Sequence, residues 1–136
     1  MTDPENVNFL KTLGLQIVSE SADEVVLEWT VTGAQHQPMG IVHGGVYCSA
    51  IETACSVGAS RSAAQREAGM MAVGLENHTS FIRAVRSGRL RAVARPITRG
   101  RTTQVWECEV RDEQQRICAT GRVRLLCIAR DAAIGS

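Results

Sequence analysis

An α+β fold, with one antiparallel sheet covering one long helix, is what this sequence predicts. Three observations lead there. Residues Gly44 to about Arg66 are apolar around most of a helical circumference, with small side chains that let a sheet approach closely. Residues 23–31 alternate, with Val25, Leu27, Trp29 and Val31 on one face and Glu24, Glu28 and Thr30 on the other. That is the pattern of a half-buried antiparallel strand. After Gly69 the period is again two. Residues 70–83, 88–98, 102–111 and 116–128 read as four strands, separated by Ser87-Gly88, Gly100 and the polar Asp112–Gln115 turn.

The other elements follow in order. Asn6 to Leu13 reads as a short helix with Phe9, Leu10 and Leu13 on one side, stopped by Gly14. Leu15, Ile17 and Glu20 belong to a strand that reaches the Ser19–Asp23 turn, and Thr32 to Val42 is loop. The order is helix, two strands, long helix, four strands. It forms one domain over residues 1–136, with a core from about 14 to 128 and a frayed tail from 129 to 136.

Composition excludes several functions. With 44% hydrophobic and 21% charged residues, the 136-residue chain is that of a soluble globular protein. It has no secretory leader pattern and no apolar run long enough to span a bilayer, so a cytoplasmic location without membrane contact is expected. The five cysteines lack metal-ligand spacing and sit in apolar-periodic stretches, as small core residues in a reducing compartment do. His36, His43 and His78 form no ligand spacing either, so no metal is expected. Between Glu76 and Glu107 there is no acid, while Arg83, Arg86, Arg89, Arg91, Arg95, Arg99 and Arg101 fall in that interval. This local excess of positive charge suggests an anionic partner. Nucleic acid is a poor candidate, because the block has little aromatic interleaving and the net charge is only +1.

The functional signal lies in the long helix. From Trp29 to Ser60, Glu52 is the one charged side chain apart from the histidines, on a stripe with Ser49, Thr53, Ser56 and Ser60. Burial disfavours an ionised carboxylate, so a solitary acid in such a segment points to function. The helix starts at Gly44-Gly45, where N–H groups lack intrahelical partners and glycine permits close approach. Such a terminus suits a polarised carbonyl oxygen and the oxyanion formed from it. Glu52 lies roughly 12 Å further along the helix at 1.5 Å per residue. A symmetric dimer, with the acid of one chain facing the helix start of the other, removes that separation. The plainer readings are His43 as a capping residue and Gly44-Gly45 as loop punctuation.

The run Gln37-x-x-Gly40-x-x-His43-Gly44-Gly45, with an acid nine residues after the histidine, resembles the hotdog-fold acyl-CoA thioesterases. More narrowly it resembles the phenylacetate-pathway and 4-hydroxybenzoyl-CoA branch with a glutamate on the helix. The resemblance covers about Gly14 to Leu126 and implies an antiparallel sheet wrapped around one long central helix. It implies Glu52 as general base or nucleophile, the Gly44 N–H as donor to the thioester carbonyl, and Gln37, His43 and Ser56 as aligning groups. Glu and Gly of one site come from opposite subunits in this family, so a dimer is required, and tetramers are common. CoA is part of the substrate, and no separate cofactor is implied. Where the family's third strand often has Asn-x-x-Phe/Tyr-Leu-Arg-Pro, this chain has His78-Thr-Ser-Phe81-Ile-Arg83-Ala84, which leaves His78 either in the acyl pocket or as an ordinary strand histidine. The resemblance places CoA near Ser87–Leu90 and Arg99–Gln104. Arg89, Arg101, Thr102 and Thr103 are then candidate contacts, unless Arg89, Arg91 and Arg95 only solvate an outer strand face. The alternative function is an acyl-CoA-binding module of the same fold without turnover. A hydratase is weaker, since its Asp-x-x-x-x-His arrangement is missing.

Overall fold

The computed structural model describes residues 8–132 and 134. The first element is a five-residue helix, α1 (Phe9–Leu13), capped by the Asn8 side chain, which accepts from the Lys11 N–H at 3.0 Å. Gly14, at φ 73°, closes it in the left-handed region that glycine enters without steric cost. Residues 6 and 7 of the expected helix lie outside the described residues. Strands β1 (Gln16–Glu20) and β2 (Val25–Thr30) follow, then the long helix α2 (Gly44–Arg66) and strands β3 (Met70–Phe81), β4 (Arg89–Arg99), β5 (Thr103–Arg111) and β6 (Ile117–Ala129). The strands form one antiparallel sheet in the order β1-β2-β4-β5-β6-β3. Ala129, placed in the expected tail, still pairs with Met70, and the Arg130 N–H donates to the Gly69 carbonyl at 2.7 Å; residues 133, 135 and 136 of that tail lie outside the described residues.

The sheet curls around α2 and covers one side of it. Val46, Tyr47, Ala50, Ile51, Ala54, Cys55, Gly58, Ala59 and Ala63 are buried, against a sheet face that includes Leu27, Trp29, Leu90, Trp106, Val123 and Leu125. Small helix residues let the largest side chain in. A Cβ at Gly58 would collide with the Trp106 ring, so glycine sets how closely the helix and sheet pack. The indole N–H donates to Gln104 Oε1 at 2.8 Å and Gln104 Nε2 to the Ala59 carbonyl at 3.3 Å, a buried polar link from sheet to helix. The helix is less enclosed than its apolar composition predicts. Cys48, Ser49, Glu52, Thr53, Ser56, Val57 and Ser60 are only half-buried, because the sheet wraps one side of the helix.

Cys55, Cys108 and Cys118 are buried, Cys48 and Cys127 half-buried, and all five are free. Burial pushes the Cys108 thiol up to about 12, so it stays a neutral core side chain. No helix among the described residues is long and apolar enough to cross a membrane.

Candidate active site

The segment before α2 is a folded loop, not an open one. A 3-10 turn at Gly33–Gln35, which local periodicity did not reveal, buries Gln35, whose amide donates to the Leu13 carbonyl at 2.6 Å. The Gln35 carbonyl accepts from the His43 N–H at 2.8 Å, and Val85 accepts from the Val42 N–H at 2.9 Å. Between these anchors Gln37 to Gly40 makes a tight turn. The Gly40 N–H returns to Gln37 at 2.9 Å, Gly40 has φ 77°, and the Gln37 side chain accepts from the Met39 N–H. The start of α2 is thus fixed to two distant parts of the chain.

His43 is the N-cap of α2, and its Nδ1 accepts from the Gly45 N–H at 2.7 Å. Accepting at Nδ1 requires the neutral ring with its proton on Nε2, which leaves the Nε2–H as a donor on an exposed side chain. The Gly44 N–H has no acceptor among the described residues. Phe81 lies over Gly44, where a Cβ would come within 2.6 Å of its ring, and Tyr47 packs against Phe81 with centroids 6.1 Å apart. The Tyr47 hydroxyl is buried without a partner among the described residues, and burial raises its pKa. The helix start therefore offers a free N–H beside an aromatic wall.

Two turns along the same helix, Glu52 is half-buried on the uncovered stripe. The Ser56 hydroxyl donates to its Oε2 at 3.2 Å, and on the other side the carboxylate lies against Gly74 of β3. Side chains hold β3 over the helix: Asn77 Nδ2 donates to the Cys48 carbonyl at 3.0 Å, and Thr79 donates to Asn77 Oδ1 at 2.6 Å. The strand itself is an edge strand, paired only with β6 among the described residues.

The structure thus brings Glu52 and Ser56 together at mid-helix, and Gly44, His43 and Phe81 together at its start. Within one chain the two groups remain separated by about 12 Å of helix. Asn77 and Thr79 face the helix, so the intervening His78 points to the opposite face of the sheet, where it borders a depression of about 360 Å³ with Glu107 and Arg122. Four of the seven arginines of the expected cluster are ion-paired with acids of the preceding strand and turn. Arg89 and Arg91 pair with Glu28 at 2.8 and 3.3 Å, Arg95 with Glu24 at 2.7 Å, and Arg99 with Asp23 at 2.7 Å. Arg89 and the Arg101–Thr103 hairpin stand at opposite ends of β4, roughly 30 Å apart at 3.3 Å per residue. One chain's Arg89 and Arg101 are therefore not a single phosphate site. Arg101 has no ion-pair partner among the described residues. Sequence reasoning also passed over Asn77 and Gly74, although a glycine inside an alternating strand is a signal of close approach.

Comparison with known proteins fits this geometry. The thioesterase superfamily model matches residues 39–119, which include the helix start, Glu52 and β3. The 1,4-dihydroxy-2-naphthoyl-CoA hydrolase of Listeria monocytogenes is 36% identical over 120 residues, spanning 88% of this chain and 89% of that protein. A Mycobacterium tuberculosis protein described as an esterase superimposes with a TM-score of 0.86 at 36% identity, over 94% of this chain and 100% of that one. The Escherichia coli PaaI protein from the phenylacetic acid degradation operon gives 0.80 at 27% identity, over 92% of this chain and 87% of its own. The sheet wrapped on a single long helix is the hotdog fold, and the chain belongs to the thioesterase superfamily.

Proposed function

We propose that this thioesterase hydrolyses an acyl-CoA to a carboxylic acid and free CoA, with Glu52 driving attack on the thioester carbon. As general base, Glu52 takes a proton from water as the water oxygen bonds to that carbon. The developing oxyanion is held by the Gly44 N–H. Collapse breaks the C–S bond, and the proton held by Glu52 goes to the departing thiolate. As nucleophile, Glu52 instead adds to the thioester carbon and the C–S bond breaks, which expels the CoA thiolate and leaves a mixed anhydride; water then opens the anhydride, freeing the acid and the Glu52 carboxylate and supplying the proton that the thiolate takes up. Ser56 orients the carboxylate. His43 caps the helix start and orients the loop and the substrate there, and Gln37 shapes the turn before it.

The observation that carries this reading is the Glu52 carboxylate, held by Ser56 on the uncovered face of α2 beside an edge strand. The gap of about 12 Å to Gly44 on the same helix leads us to assign the N–H to a second subunit. The edge of β3, long and with Leu75 exposed, is the surface on which two chains would pair. Pairs of such dimers forming tetramers fit the same scheme. The five free cysteines fit a cytoplasmic setting.

Aromatic acyl-CoAs head the substrate panel, because Tyr47 and Phe81 wall the helix start and the Listeria relative is named for a naphthoyl-CoA. The test is Glu52→Gln and Glu52→Ala, assayed for CoA thiol release with aryl and medium-chain acyl-CoAs. A loss of about 10²-fold or more in kcat is expected; full activity would sink the mechanism. Tight binding of acyl-CoA by the unaltered protein with no thiol released would support the non-catalytic binding module instead.

A further inference from the structure

Gly74 occupies an unusual place in β3. The register with β6 slips there, with Gly74 opposite Leu125 and Glu76 opposite Arg124, which leaves Leu75 as the extra residue of a bulge. Bulges commonly re-aim a strand beside an active site. Gly74 has no left-handed φ, so its backbone does not require glycine. What requires it is space. A Cβ at this position would lie 3.0 Å from Glu52 Cδ, 3.2 Å from Oε1 and closer still to Oε2.

The strand is not free to withdraw from the carboxylate. Two residues before Gly74, the Ser60 hydroxyl accepts from the Ala72 N–H at 3.0 Å and donates to the Ala72 carbonyl at 3.3 Å. Three residues after it, Asn77 donates to the Cys48 carbonyl at 3.0 Å. These two ties from α2 straddle the bulge and press Gly74 onto Glu52, while Ser56 holds the carboxylate from the helix side at 3.2 Å.

We propose that Gly74 is a positioning residue for Glu52: its missing side chain is the seat that holds the carboxylate in one orientation, and any side chain there displaces it. The inference rests on the hydrolytic reading of Glu52. A carboxylate moved by about 1 Å loses on the order of 10²-fold in rate.

The experiment is a double-mutant cycle between positions 74 and 52, read in both kinetics and stability. Gly74→Ala is expected to lower kcat for the best acyl-CoA by about 10²-fold, with KM changed by less than about threefold. Glu52→Asp, one methylene shorter, is slower than wild type alone but is expected to raise kcat in the Gly74→Ala background. Gly74→Ala is expected to leave Tm within about 2 °C, because the atoms a Cβ meets are the end of the flexible Glu52 side chain, which swings aside. A preserved Tm shows that the loss in kcat comes from the displaced carboxylate and not from misfolding. Additive effects of Gly74→Ala and Glu52→Asp on kcat, or a Gly74→Ala enzyme within about twofold of wild type, would overturn the role of Gly74 while leaving an inactive Glu52→Ala to support the hydrolytic reading. A fully active Glu52→Ala would sink that reading and this proposal together.

Discussion

Gly44 is a position where one N–H can be deleted at small cost to the fold. It is the first residue of α2, and its N–H has no acceptor among the described residues. Proline suits the first helical position, where its missing N–H removes no backbone bond. The preceding residue, His43, has φ −63° and ψ 135°, the extended conformation that proline requires of its predecessor. Gly44→Pro therefore removes the proposed oxyanion donor and little else from the backbone. Any Cβ here meets Phe81 at 2.6 Å, but that ring is 57% exposed and free to swing aside. Gly44→Ala introduces the same contact and keeps the N–H, so it is the matched control. Loss of one oxyanion donor lowers kcat by about 10²–10³-fold, or about 2.7–4 kcal/mol. Steady-state kcat and KM from thiol release, on variants matched for oligomeric state by size exclusion, give the comparison. Gly44→Ala is expected to keep most of its activity and Gly44→Pro to fall below it by at least about 10²-fold in kcat. Equal kcat in the two variants would refute the donor role of Gly44.

Two further outcomes follow from the same structure. Arg101 has no ion-pair partner among the described residues, whereas Arg89 is held by the half-exposed Glu28. Arg101→Ala is accordingly expected to raise KM for acyl-CoA by about tenfold, and Arg89→Ala to change it by less than about threefold, as an exposed pair contributes little; a salt titration of KM on both variants checks this. In the core, Trp106→Phe removes the indole N–H that Gln104 Oε1 accepts at 2.8 Å. It leaves a buried acceptor unmatched and is expected to cost about 1–3 kcal/mol of stability, measured by urea unfolding.

Much of this arrangement was legible in the sequence because it is local. Period-two alternation placed β2 to β6 within a few residues, and the run of small residues from Gly44 to Arg66 marked the helix. The spacing puts the solitary charge at Glu52 and the serine one turn later on one helix stripe, and the family resemblance supplied the contact between them that the structure contains. What was not legible depends on distant partners. The 3-10 turn at Gly33–Gln35 is held by Leu13 and His43, and no local pattern announces a buried glutamine with those partners. The arginine block reads as an open basic patch until β2 and β4 pair and set Glu24 and Glu28 beside Arg95, Arg89 and Arg91. Composition cannot show how far a sheet curls, so an apolar helix predicts more enclosure than α2 has. Its half-exposed stripe is the face that carries Glu52.

The division of one active site between two chains is tested most directly by complementation. Glu52→Ala and Gly44→Pro chains carrying different tags are co-expressed, and the mixed dimers are purified through both tags. If Glu52 of one chain works with Gly44 of the other, each mixed dimer has one intact site and one doubly defective site. Purified mixed dimers should then show about half of wild-type kcat per dimer, and an unfractionated random mixture about one quarter, although each parent alone is nearly inactive. Mixed dimers no more active than the parents would contradict the shared site and return Glu52 and Gly44 to separate roles.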